Sequence, residues 1–179
     1  MATPETLDAF LDESRRRVDE ALHRYLPVPP ACPGVLSEAM RYSVFAGGKR
    51  LRPILTLAAA DAVARATGST PDLASSLALP AACAIELIHC CSLVCDDLPA
   101  FDGSPTRHGK DACHVAFGDA FAILAEHALF AHAFALIARQ RDITPLDRVT
   151  TVVAAVDFLS AVGDAVGEAE IVSFHRSDM

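Results

Sequence analysis

Residues 77–96 read LALPAACAIELIHCCSLVCD, an apolar run whose only ionisable interruptions before its closing aspartate, cysteines apart, are Glu86 and His89. A run this long and this apolar needs cover on more than one face. Glu86 and His89 sit near its middle, where a bilayer would make them costly, so it is read as a buried helix rather than a membrane span. Six cysteines occur, Cys32, Cys83, Cys90, Cys91, Cys95 and Cys113, and four of them lie in this run. No C-x-x-C pair is matched by a second one, so a zinc site has little support. Free cysteines in a reducing compartment act as small buried hydrophobes.

The rest of the chain reads as helix punctuated by Pro and Gly. Thr3-Pro4-Glu5 is a plausible helix start, and Leu7, Phe10, Leu11, Val18, Leu22 and Tyr25 follow at near-helical spacing. Pro27, Pro29, Pro30 and Pro33 end that helix in a rigid linker. A second helix is predicted over about 35–46, stopping at Gly47-Gly48, and a third from near Pro53 to Gly68-Ser69-Thr70. A fourth covers about 74–97, a polar loop 103–112, a fifth helix 114–140, and a sixth runs from near Pro145 past Gly163. No alternating segment predicts a strand, and there is no internal repeat. The pattern is that of an all-α bundle of long antiparallel helices around a central cavity, with residues 77–95 and 120–138 as central helices buried on several sides.

A chain of 179 residues, 52% of them hydrophobic, can bury a core and fits one domain or a large part of one. Its net charge of −8 argues against wrapping a nucleic acid, which needs a basic surface. A diphosphate could still be held by metal ions or by a local cluster of cations. The N-terminal MATPETLDAFLDESRRR lacks the basic flank and apolar core of a signal peptide, so a cytoplasmic location is expected.

Two short segments carry the charge. Asp96, Asp97 and Asp102 crowd the end of the apolar run. At about 100° per residue, Asp96 and Asp102 would not share a face of a regular helix, but Pro99 can bend the chain and return Asp102 towards Asp96. Converging carboxylates repel, and a hard cation such as Mg²⁺ would relieve that while keeping water sites for a phosphate; the same spacing also describes a solvated turn. The second segment is GGKRLRP, residues 47–53, in which two glycines precede Lys49, Arg50 and Arg52 at a predicted helix start. It is either an anion cradle or a basic helix start on the surface, and it lacks the nucleotide P-loop pattern. His89 lies close to two turns before Asp96 on the same face, as a core histidine or as part of a site. Arg107 and Lys110 then bring positive charge back beside the aspartates.

The order GGKRLRP, IELIHCCSLVCDDLPAFD, RHGK and CHVAFGDAFAILA resembles the trans-isoprenyl diphosphate synthases of the farnesyl and geranylgeranyl type, over about residues 37–170. The resemblance implies the isoprenoid synthase fold and an Mg²⁺-dependent, head-to-tail condensation of an allylic prenyl diphosphate with isopentenyl diphosphate. It implies a homodimer, or a heterodimer with a longer homologue. Carried over position by position, it assigns Lys49, Arg52 and His89 to isopentenyl diphosphate, and Asp96 and Asp102 to Mg²⁺ on the allylic diphosphate. Asp97 supports them, Arg107 contacts the allylic diphosphate, and His108 stands at the second arginine of the usual pair. Cys91, small where a bulky aromatic can act as a floor, implies a product longer than farnesyl.

The chain departs from that family at several points. Gly103-Ser104-Pro105 replaces further acidic residues, Glu126-His127 replaces Gly-Asp, and Gly167-Glu168 replaces Gly-Gln. A second D-D-x-x-D motif is expected on a later helix and does not occur. Residues 1–179 are therefore expected to form one partial polyprenyl synthase domain lacking the C-terminal part of the bundle, with hydrophobic surface exposed unless it associates. Three readings follow: a prenyl synthase in partial form, a non-catalytic small subunit that binds and modulates an active synthase, or a helical interaction protein. Cys91 and Cys95 match a C-x-x-x-C element that some small subunits use at the partner contact, or are a chance pair in a cysteine-rich helix.

Overall fold

The first helix, α1 (Leu7–Tyr25), starts where the Thr6 hydroxyl accepts a hydrogen bond from the Ala9 amide at 3.2 Å. This computed structural model describes residues 6–140, which lie within one unit, Met1–Asp142. The start expected at Thr3-Pro4-Glu5, the sixth helix from Pro145 and Gly167-Glu168 all fall outside the described residues. α1 buries Val18, Ala21 and Leu22 along one stripe, while Arg16 pairs with Glu13 and Glu20 at 2.7 and 2.6 Å on the wet side.

After the proline linker come α2 (Gly34–Val44) and α3 (Leu51–Thr67). α3 ends in a left-handed Gly68, and the Ser69 amide donates to the Ala64 carbonyl at 2.9 Å. The short link to α4 (Pro71–Asp96) turns the chain back, so α4 runs antiparallel along α3. α4 continues through Pro80, although a proline there removes one backbone donor.

The buried positions explain why α4 is so apolar. Ala82, Cys83 and Ala84 are consecutive and buried, which at about 100° per residue is possible only for a helix covered on more than one face. α4 packs against α3, α6 and α1, and Leu87, Ile88, Cys90, Cys91 and Val94 continue its buried surface towards the C-terminal end.

Three expectations are corrected. The helix predicted over 114–140 is two, α5 (Cys113–Phe117) and α6 (Asp119–Ala138), divided at Gly118, whose φ of 81° and ψ of 157° break the helical path. The loop before them holds a two-stranded ribbon, β1 (Thr106–Arg107) and β2 (Lys110–Asp111), where no strand was predicted. Its turn residues His108 and Gly109 both have positive φ, 52° and 78°, as a two-residue type I′ hairpin requires. α6, finally, is buried on one stripe, Ala122, Ala125, Leu129, Ala133 and Ile137, while Ile123, Leu124 and Phe130, off that stripe, stay exposed. α4 and α6 are each long and apolar enough to cross a membrane by length and composition alone, but α4 directs that surface at neighbouring helices.

Candidate functional site

The α2–α3 loop, the end of α4 and the β1–β2 ribbon enclose a cavity of about 320 Å³. Gly47 and Gly48 carry φ of 145° and 113°, values that favour glycine. Gly47 also lies against the ribbon: a Cβ there would meet the His108 Cβ at 3.2 Å. The ribbon is tied to α2 by the Tyr42 hydroxyl, which donates to the Asp111 carbonyl at 2.8 Å, with the Tyr42 ring edge-on to Phe117 at 5.3 Å.

Lys49, Arg52, His89, Arg107 and His108 all line this cavity, and Asp97 joins them. They come from the α2–α3 loop, the first turn of α3, the end of α4 and the β1–β2 ribbon, and in a chain of net charge −8 they form a local positive site. Such a site suits an anion with several oxygens. Arg107 is set by buried Asp97, which accepts from Nε at 3.0 Å and from a second guanidinium nitrogen. That hydrogen bond, helped by Asp96 and Asp102 nearby, strengthens the protonated form of Arg107. His89 is held below its ordinary pKa by burial first and then by Arg52, while Glu86 opposes the shift and His108 and Arg107 add to it.

Asp96 and Asp102 are not in the cavity wall. Asp96 closes α4, and the Asp102 amide donates to the Asp96 carbonyl at 2.9 Å, so the backbone turns back after Pro99 as the spacing suggested. The turn tightens further where the Gly103 amide reaches the Leu98 carbonyl at 3.1 Å. Among the described residues, no three His, Cys, Asp or Glu side chains gather into a closed metal cage. Two carboxylates on a solvent-facing turn are nevertheless a fitting donor set for Mg²⁺, which takes one or two protein carboxylates and leaves its remaining positions to water and phosphate.

Sequence reasoning missed the residue that organises the loop. Arg50 is buried, and its guanidinium donates to Asp19 at 2.9 Å, to Glu86 at 2.8 Å and to the Val44 and Gly47 carbonyls at 2.7 and 3.2 Å. Burial works against its charge, but Asp19 and Glu86 more than offset it and keep the guanidinium protonated. The available signal was Glu86, a carboxylate inside an apolar helix, which needs a cationic partner. Of the cysteines, Cys83 and Cys90 are pushed up to about 12 by burial, and all six are free thiols. The Cys91 thiol donates to Glu126 of α6 at 3.2 Å, and burial first, then this hydrogen bond, raises its pKa. Lys110 lies on exposed β2, away from the cavity wall.

Residues 33–172 match the family model described as polyprenyl synthetase. A geranylgeranyl diphosphate synthase from Cyanophora paradoxa is 40% identical over 158 residues, covering 88% of this chain and 49% of that protein. A farnesyl diphosphate synthase from Geobacillus stearothermophilus is 45% identical over 132 residues, 74% of this chain and 41% of that one. The chain thus spans about half the length, or less, of these relatives. The crystal structure of an FPP/GFPP synthase from Zymomonas mobilis superposes with a TM-score of 0.73 at 34% identity, over 84% of this chain and 51% of that one. A family match across most of the sequence, on an all-α bundle shared with a solved synthase, makes this chain a member of the polyprenyl synthetase family.

Proposed function

We propose that the chain provides the diphosphate-binding part of a trans-prenyl diphosphate synthase, which joins an allylic prenyl diphosphate to isopentenyl diphosphate. The observation that carries this reading is the convergence of Lys49, Arg52, His89, Arg107 and His108 on one cavity beside the aspartate turn. Lys49, Arg52 and His89 hold the diphosphate of isopentenyl diphosphate. Arg107, fixed by Asp97, faces the allylic diphosphate, with His108 beside it. Asp96 and Asp102 are the residues that would hold Mg²⁺, and the chemistry it would supply there is neutralisation of the charge on the leaving diphosphate.

In the reaction, the allylic C–O bond breaks and its electron pair leaves on the diphosphate. The double bond of isopentenyl diphosphate attacks the allylic carbon, and a proton is then lost to restore an alkene. Arg107 meets the charge that builds on the leaving group. Cys90, Leu93 and Val94 give the cavity an apolar wall that limits water near the cationic carbon. The same reading has the chain act with a second copy or with a longer homologue, which the exposed Ile123, Leu124 and Phe130 of α6 support. It places the protein in the cytoplasm, where six free thiols stay reduced.

The test is calorimetric titration of the chain with geranyl diphosphate, with and without Mg²⁺, followed by turnover with isopentenyl diphosphate. Metal-dependent binding is expected, and Asp96→Ala and Asp102→Ala should each abolish its Mg²⁺-dependent part. Unchanged metal dependence in both variants would remove the metal assignment. Binding without turnover would point to a half-site, either a prenyl synthase in partial form or a non-catalytic small subunit that modulates an active synthase, and no binding to a helical interaction protein.

A further inference from the structure

Arg50 stands between Lys49 and Arg52 and borders the same cavity, yet its guanidinium is taken up by acceptors of the protein itself. All three line the cavity, but Lys49 and Arg52 are exposed whereas Arg50 is only 5% exposed. Arg50 has φ 53° and ψ 32°, the left-handed region that a side chain disfavours, and it is the cap of α3, where its carbonyl accepts from the Ile54 amide at 3.1 Å. No side chain caps that helix end. The left-handed residue must therefore be held by what its guanidinium grips: Asp19 on α1, Glu86 on α4, and the two carbonyls of the loop itself.

We propose that Arg50 is the positioning residue of the anion cradle, and that its grip on Asp19 and Glu86 sets Lys49 and Arg52 on the cavity rim. Arg50 touches no ligand in this role; it acts through its two neighbours. The inference rests on the diphosphate reading above and adds two residues to it, Asp19 and Glu86, whose charge has the wrong sign for binding an anion.

That sign makes the inference testable. If these carboxylates acted on a diphosphate only through their fields, removing either charge would tighten binding. If they hold Arg50, removing either loosens the loop and weakens binding. Asp19 gives the cleaner case, since it lies on α1 and is not part of the cavity wall.

The full chain and its Asp19→Asn, Glu86→Gln and Arg50→Lys variants would be titrated with isopentenyl diphosphate in EDTA, with circular dichroism as a check on helix content. Affinity is expected to fall about tenfold or more in each variant, and Lys49→Ala is expected to cost much less on the Asp19→Asn background than alone, because residues that act as a unit are not additive. Equal or tighter binding by Asp19→Asn and Glu86→Gln would overturn the inference while leaving the diphosphate reading intact. Amide hydrogen exchange at Gly48, Lys49 and Leu51 reads the loop without any ligand. Faster exchange there in Asp19→Asn than in the parent chain is expected, and unchanged exchange would overturn the inference even if neither protein bound isopentenyl diphosphate. Absence of binding by the parent chain alone would count against the diphosphate reading.

Discussion

His89 shows how a single side chain couples the site to stability. It sits half-buried on α4, with Arg52, Arg107 and His108 across the cavity and Glu86 one turn before it. Burial, then Arg52, lowers its pKa from 6.5, and Glu86 offsets part of the shift. Below pH 6.5 the unfolded chain binds this proton more readily than the folded one. The contribution is therefore fully present above pH 6.5 and is lost as pH falls through the lower folded-state pKa. Urea unfolding at about pH 7.5 and 5.5 should show stability falling towards acid, with a shallower fall in His89→Gln; equal falls would detach His89 from the effect. Residue types were legible here where chemistry alone decides, as with three cations after two glycines. Which cation turns inward was not, because it depends on Asp19 and Glu86, far away in sequence.

At the level of elements, the break at Gly118 separates α5 from α6 and so decides where α6 starts against α4. Its φ of 81° and ψ of 157° fall in a region open almost only to glycine. An added Cβ would meet nothing within 4 Å, so the cost of a substitution there lies in the backbone and not in a clash. Gly118→Ala should destabilise the chain by about 1–3 kcal/mol in urea unfolding, and a loss below about 0.5 kcal/mol, the size of an ordinary surface change, would show that the α5–α6 joint relaxes. The break was not legible because helical spacing resumes on both sides, and a glycine inside a helix costs only about 1 kcal/mol, too little to mark an end. The ribbon was missed for a related reason. His108-Gly109 is a weaker hairpin signal than Asn-Gly, and two-residue strands are too short to show alternation.

Across the whole molecule, α4 is the wall that the bundle and the cavity share, and this much was legible because an apolar helix with few ionisable residues has to be enclosed. The same rule misled for α6, since composition records how apolar a face is but not what covers it. Leu87 of α4 has no exposed surface, whereas Leu124 of α6 is 52% exposed. Removing the Leu87 side chain beyond Cβ leaves a void bounded by packed helices, at a cost of about 2–5 kcal/mol. That is a large part of the roughly 5–15 kcal/mol by which a domain is stable. Leu124→Ala removes the same atoms from an open surface and should change stability by no more than about 0.5 kcal/mol. Urea unfolding of both variants at low protein concentration gives the comparison. A cost at Leu124 approaching that at Leu87 would show that the outer face of α6 is buried in solution, and would replace the one-sided packing described for that helix.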